Sequence, residues 1–158
     1  MWQKILVAID LSPIAKKVFE VALTLAKPSC TNLIILHVLS PDEEGAPFSL
    51  AYSDEYPLSR IMIEEHHKQW EIFQKKALVE LELLKNKAIK NDLNVEVLQF
   101  FGSPGATICQ QQKINSADLI VIGNRGLSGV KELFFGSVSN YVIHHASSSV
   151  FVVKSSIS

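Results

Sequence analysis

Four glycines, Gly123, Gly126, Gly129 and Gly136, crowd into fourteen positions of this chain. The last is followed by Ser137 and Ser139, and the run begins directly after the most apolar strand-like stretch, Leu119–Ile122. Glycine lets a backbone turn sharply and approach an anion closely. A helix that starts just beyond adds unpaired N–H groups and the positive end of its dipole. A buried strand, a glycine-rich loop and a helix start, in that order, suit a phosphate, so a nucleotide pocket is the expectation. A second candidate, Asp10, closes the first apolar run. Its carboxylate can contact a nucleoside or a metal-bound water beside phosphates; the alternative is a helix-start carboxylate stabilised by the dipole.

Other chemistries find no support. The chain has no GxxxxGK[ST] loop and no GxGxxG after its first strand. The pairs His66-His67 and His144-His145 are adjacent in sequence, so on a helix they point about 100° apart, whereas chelating pairs sit four residues apart. They are read as structural histidines, and His37 as a core histidine at a strand end. Cys30 and Cys109 are too few for a disulfide framework. No Ser-His-Asp or Cys-His arrangement and no zinc-ligand cluster is legible. Hydrolysis would need a positioned base and a cationic clamp, for which only Asp10 and Arg125 offer themselves. A pocket of backbone amides binds better than it catalyses, so no catalytic residue is assigned.

The elements that must position these residues follow from periodicity. Lys4–Ile9, Asn32–Leu39 and Leu119–Ile122 are continuous apolar runs, as buried parallel strands are. Ser12 is the expected N-cap of a first helix with Pro13 at its first position and Pro28 ending it. A long helix is expected over about 59–91. Its core stripe is Trp70, Phe73, Ala77, Leu81, Leu84 and Ala88, and Lys68, Lys75, Lys76, Glu82, Lys85 and Lys90 lie on the solvated side. Asn94–Phe100 alternates, with Val95, Val97 and Phe101 inward, as a strand nearer an edge does. Ser103 and Pro104 open a short helix to about Ile114. A last helix carries Val138, Tyr141, Val142 and His145, and Val150–Lys154 is the last strand. Residues 40–57 form a long irregular segment, read as a flexible excursion or as a lid or partner surface. The alternation predicts a parallel sheet with helices on both faces and right-handed crossovers. Ligands of such sheets sit where the strand order reverses. If the first and fourth strands are neighbours, Asp10 and the glycine loop face one crevice.

Composition bounds the partners. The 158 residues suit one domain, 1–158, and 47% hydrophobic with 20% charged residues is ordinary for a globular chain. A net charge of −1 argues against nucleic acid, which calls for a basic surplus. No apolar run reaches the ~20 residues of a membrane helix and no signal-like segment is legible. No membrane association and a cytoplasmic location are therefore expected.

The spacing G-x2-G-x9-G-S, from Gly123, Gly126, Gly136 and Ser137, together with Ala8-x-Asp10-x-Ser12, resembles the universal stress protein family. The likeness extends through His37-Val38, Gly102-x-Pro104, Asp118–Gly123, Gly136–Ser139 and Val150–Val153. The resemblance implies a Rossmann- or flavodoxin-like five-stranded sheet of order 3-2-1-4-5. It also implies a homodimer through the last strand, Val150–Val153, and an ATP-binding type; Mg2+ is expected beside the nucleotide on general grounds. On that pattern Ala8, Ile9, Asp10 and Val38 line the adenine and ribose side. Gly123, Asn124, Arg125, Gly126, Leu127, Ser128 and Gly129, then Gly136, Ser137, Val138 and Ser139, wrap the phosphates. The hydroxyls of Ser137 and Ser139 are suited to donate to phosphate oxygens. Ser149 stands where the family often has proline. Residues 130–135 are read as a helical turn anchored by Leu133 and Phe134.

Three functions follow as expectations. The chain is a nucleotide-binding regulator with slow or no turnover, a slow ATPase or phosphotransferase, or a dimeric scaffold that holds AMP or cyclic AMP. Its protein partner is not legible.

Overall fold

The architecture comes from a computed structural model that describes residues 1–28, 30–50, 58–124 and 136–155. The elements alternate as the periodicity predicts. They are β1 (Lys4–Ala8), α1 (Ala15–Leu25), β2 (Asn32–Leu39), α2 (Arg60–Lys90), β3 (Asn94–Phe101), α3 (Pro104–Ile114), β4 (Leu119–Asn124), α4 (Ser137–His145) and β5 (Ser149–Lys154). The strands form one parallel sheet in the order β3-β2-β1-β4-β5. β1 therefore lies between β2 and β4, with Ala8 opposite Leu36 on one side and Ile122 on the other.

The continuous apolar runs are explained by two covered faces. Ile5, Val7, Leu33, Ile35, Leu119 and Val121 point to the side covered by α1 and α2, where Phe19, Ala22, Leu81 and Ala88 complete the core. Leu6, Ile34, Leu36, Ile120 and Ile122 point to the other side, against Ile108, Cys109 and Val142 of α3 and α4. β3 and β5 are the edges. There the pattern alternates, because one layer of helices no longer covers both faces fully. Phe101, expected inward, is 60% exposed, since it lies at the end of the edge strand; its ring meets Trp70 edge-on at 5.6 Å.

α2 starts as predicted, with Ser59 as N-cap accepting from the Met62 N–H. Phe73, Ala77, Leu81 and Ala88 are buried, while Trp70 and Leu84 are half-buried. At about 1.5 Å per residue its 31 residues span about 46 Å. The eight residues of β3 span only about 26 Å. The first turns of α2 thus overhang the sheet, and Ile61, Met62 and Ile63 are exposed there.

The start of α1 departs from expectation. Ser12 is not the N-cap; Ile14 holds that position and no side chain caps the helix. Asp10 explains the difference. Its Oδ1 accepts the Ser12 N–H at 3.0 Å and the Ser12 hydroxyl as well, a local turn that competes with helix initiation. The Ser12 carbonyl then accepts from the Ala15 N–H at 3.1 Å, and the helix begins two residues past Pro13. The helix also ends at Leu25, short of Pro28, because Ala26 is already extended.

Candidate functional site

The carboxyl ends of β1 and β4 adjoin where the strand order reverses, the place where sheets of this kind offer a crevice to a ligand. Ala8, Ile9 and Asp10 lie at the end of β1, and Val38 lies near the end of β2. Ala8 and Asp10 are half-buried, and Ile9 and Val38 are buried. Gly123 and Asn124 end β4, and Gly136, Ser137, Val138 and Ser139 form the start of α4. Arg125, Gly126, Leu127, Ser128 and Gly129, with the anchor residues Leu133 and Phe134, lie outside the described residues.

The two ends of that stretch are fastened together. Asn124 is buried, and its Oδ1 accepts the Gly136 N–H at 2.9 Å across twelve residues. The polar side chain at the end of β4 thus sets where α4 begins. Ser137 is exposed beside this start. Ser139 is not: it is 1% exposed and its hydroxyl donates to the Gly136 carbonyl at 3.0 Å. The proton expected to serve a phosphate is engaged in the first turn of α4, which is where a serine at the third helical position can reach back.

Gly123 and Gly136 have different physical grounds. A Cβ on Gly123 would lie 2.9 Å from Val18 Cγ2 and 3.2 Å from Ile14 Cγ2, so glycine is needed for α1 to pack against β4. A Cβ on Gly136 would lie 3.5 Å from Asn124 Oδ1 and 3.7 Å from Ser139 Oγ, which are ordinary contacts. The φ of Gly136 is −56°, open to any residue. Among the described residues, nothing in the chain demands glycine at 136.

On the β2 side of β1 the structure reveals residues that sequence reasoning passed over. The segment after β2 turns back at once: the Glu43 N–H donates to the Ser40 carbonyl and the Ala46 N–H to that of Glu43. Gly45 adopts φ +82°, a left-handed conformation that favours glycine. This turn carries Glu43 into the interior, where it is 7% exposed. Its Oε1 accepts the Leu11 N–H at 3.0 Å, and its two oxygens lie 2.8 and 3.0 Å from His37 Nε2. His37 is a core histidine, as expected, but one with a carboxylate partner. The signal was available: a histidine in an otherwise apolar buried strand needs polar partners.

Other candidates fall away among the described residues. Burial pushes the Cys109 thiol up, with Lys113 pulling it back, so it stays protonated and a poor nucleophile. No group of three or more His, Cys, Asp or Glu is placed to hold a metal ion. His67, His144 and His145 are exposed, and His66 is half-buried. Among the described residues no helix is long and apolar enough to cross a membrane. A hollow of about 630 Å³ lies at the opposite end of the sheet, by Gln112, Asp118 and Ser148, away from the crevice.

Comparison with known proteins agrees with this geometry. The model of the universal stress protein family matches residues 1–154. Universal stress protein Sll1388 of Synechocystis is 32% identical over 151 residues, covering 96% of this chain and 97% of its own. A universal stress protein solved in complex with cAMP superposes with a TM-score of 0.68 at 20% identity, covering 98% of both chains. A universal stress protein family protein from Arabidopsis thaliana with AMP bound gives a TM-score of 0.64 at 25% identity. That match covers 98% of this chain and 92% of the other.

Proposed function

The chain belongs to the universal stress protein family, and we propose that within it this protein binds an adenine nucleotide, ATP in the first place, as a regulator with slow or no turnover. The crevice between the ends of β1 and β4 carries the proposal. Asp10 lies on one side and the start of α4 on the other, so a nucleoside and its phosphates would each meet the chemistry that suits them. The freedom at Gly136 supports a ligand there, because close approach from outside the chain would account for a glycine that packing does not require. Ala8, Ile9, Asp10 and Val38 would line the adenine and ribose. Gly123–Gly129 and Gly136–Ser139 would surround the phosphates, with Gly123 contributing backbone alone and Ser137 its hydroxyl. Asp10 is the only carboxylate in this set, so a magnesium ion accompanying ATP would be held by phosphates and water rather than by a protein cage.

AMP is the second reading, favoured by the Arabidopsis family member with AMP bound; cAMP shares its adenosine and single phosphate. We also propose that residues 1–158 act as one domain in the cytoplasm and pair through Val150–Val153. β5 is an edge of the sheet and Phe151 on it is 44% exposed, so light scattering should return twice the chain mass.

Thermal unfolding with ATP, AMP and cAMP tests the binding reading. A ligand at a hundred times its Kd stabilises by about 2.7 kcal/mol, a clear rise in Tm. No rise with any of the three at millimolar concentration sinks the proposal. Phosphate release from ATP should be slow or absent, and the same in Asp10→Ala.

A further inference from the structure

Next to the crevice runs a chain of polar side chains, buried at His37 and Glu43 and half-buried at Gln74 and Gln99, that the proposed contacts leave unused. Gln74 Nε2 donates to Gln99 Oε1 at 3.2 Å, and Gln99 Nε2 donates to His37 Nδ1 at 3.1 Å. His37 Nε2 meets Glu43, and Glu43 Oε1 receives the Leu11 N–H. The chain links α2, β3, β2 and the segment after it to the turn between β1 and α1. Its direction is set at Gln99. The amide nitrogen of Gln99 can only donate, so His37 presents Nδ1 as an acceptor and carries its hydrogen on Nε2, toward the Glu43 carboxylate. Gln99 Oε1 is then left to accept from Gln74. Every bond in the sequence is consistent with that single direction.

We propose that Glu43 is a positioning residue for the nucleoside side of the crevice, acting through the Leu11 N–H on Asp10; this rests on the nucleotide-binding reading. Asp10 is followed by two peptide N–H groups, and both are held by carboxylates. Leu11 N–H goes to Glu43, 32 residues away, and Ser12 N–H goes to Asp10 itself. The local turn sets the shape of residues 10–12, and Glu43 sets where that turn stands relative to β2 and Val38. The Ser40–Gly45 turn brings Glu43 back to that N–H from the β2 side, and the buried His37 holds its carboxylate in register.

Calorimetric titration of ATP and AMP into the whole protein tests this, using wild type, Glu43→Ala, Glu43→Asp, Glu43→Gln, Asp10→Ala and the Asp10→Ala/Glu43→Ala pair. Glu43→Ala should weaken binding about tenfold, the weight of one buried hydrogen bond. Glu43→Asp is too short to reach both His37 and Leu11, so it should fold and still weaken binding; it decides the matter if the alanine variant does not fold. Glu43→Gln keeps an oxygen for Leu11 once His37 moves its hydrogen to Nδ1 and the two glutamine amides turn over. It should rescue binding to near wild type, with the His37 15N signals showing the exchanged tautomer. In the Asp10→Ala background the alanine change at 43 should add nothing. Wild-type affinity in both Glu43→Ala and Glu43→Asp, or an equal further loss without Asp10, overturns the inference. Failure of the wild type to bind any nucleotide overturns the underlying reading and this inference with it.

Discussion

The two flanks of the crevice use the same device for opposite ends. On the β2 side the acceptor is Glu43 Oε1 and the held group is the Leu11 N–H, at 3.0 Å; on the β4 side the acceptor is Asn124 Oδ1 and the held group is the Gly136 N–H, at 2.9 Å. Each fixes the start of a segment that leaves a strand end. The β2 flank, however, is closed on itself. Its carboxyl group is buried and backed by His37, Gln99 and Gln74, and its bonds are satisfied within the chain. The β4 flank holds its helix start with a neutral amide and then presents a glycine with no internal need to be one, followed by an exposed serine. The difference shows how the labour is divided: one side sets geometry, and the other leaves small groups facing outward.

The comparison can be broken most severely at Glu43. Glu43→Ala strands the Leu11 N–H and the His37 Nε2–H in the interior, and should lower stability by about 3 kcal/mol in urea unfolding; a loss under 1 kcal/mol would show the β2 flank to be looser than its bonds suggest. Gly123→Ala comes next. Its Cβ would press into Val18, for an expected loss of about 2 kcal/mol, with nucleotide binding preserved in the folded fraction. Asn124→Ala should cost about 1 kcal/mol while weakening ATP binding more than tenfold, because the start of α4 loses its anchor; equal effects on both would make the β4 flank as structural as the other. The smallest change is expected at Gly136→Ala. Reduced freedom in the unfolded chain, worth about 0.4–1 kcal/mol, offsets alanine's poorer N-cap character. Stability should stay within about 0.5 kcal/mol while affinity falls.

Most of the fold was legible because its signals are strong. β2 and α2 were placed almost to the residue, since an unbroken apolar run and a stripe recurring every three or four positions leave little choice. The edge role of β3 was legible from Glu96 alternating with Val95 and Val97; Gln99, two residues past Val97, shares the valines' face and reaches Gln74 and His37. What escaped was set by side chains that act against their local pattern. Ser12 reads as a cap until Asp10 two residues earlier takes both of its donors. Ser139 reads as a phosphate donor until its own turn claims the hydroxyl. Glu43 stands among Pro41, Asp42, Glu44 and Gly45, where a carboxylate looks solvated, and only the need of His37 for a partner pointed elsewhere. Gly123 sat inside a phosphate-loop spacing, yet what fixes it is the closeness of Val18.

The overhang of α2 makes this helix two materials joined end to end. From Phe73 onward one face of it, Phe73, Ala77, Leu81 and Ala88, is buried, while before Trp70 almost every residue is exposed. Local opening of the first turns therefore uncovers little apolar surface and proceeds without disturbing the core. Trypsin should reach Arg60 and Lys68 long before Lys87, which is paired with Glu20 of α1. The expected product of brief digestion is a chain nicked near one end of its longest helix that keeps its sheet, its crevice and a cooperative unfolding transition.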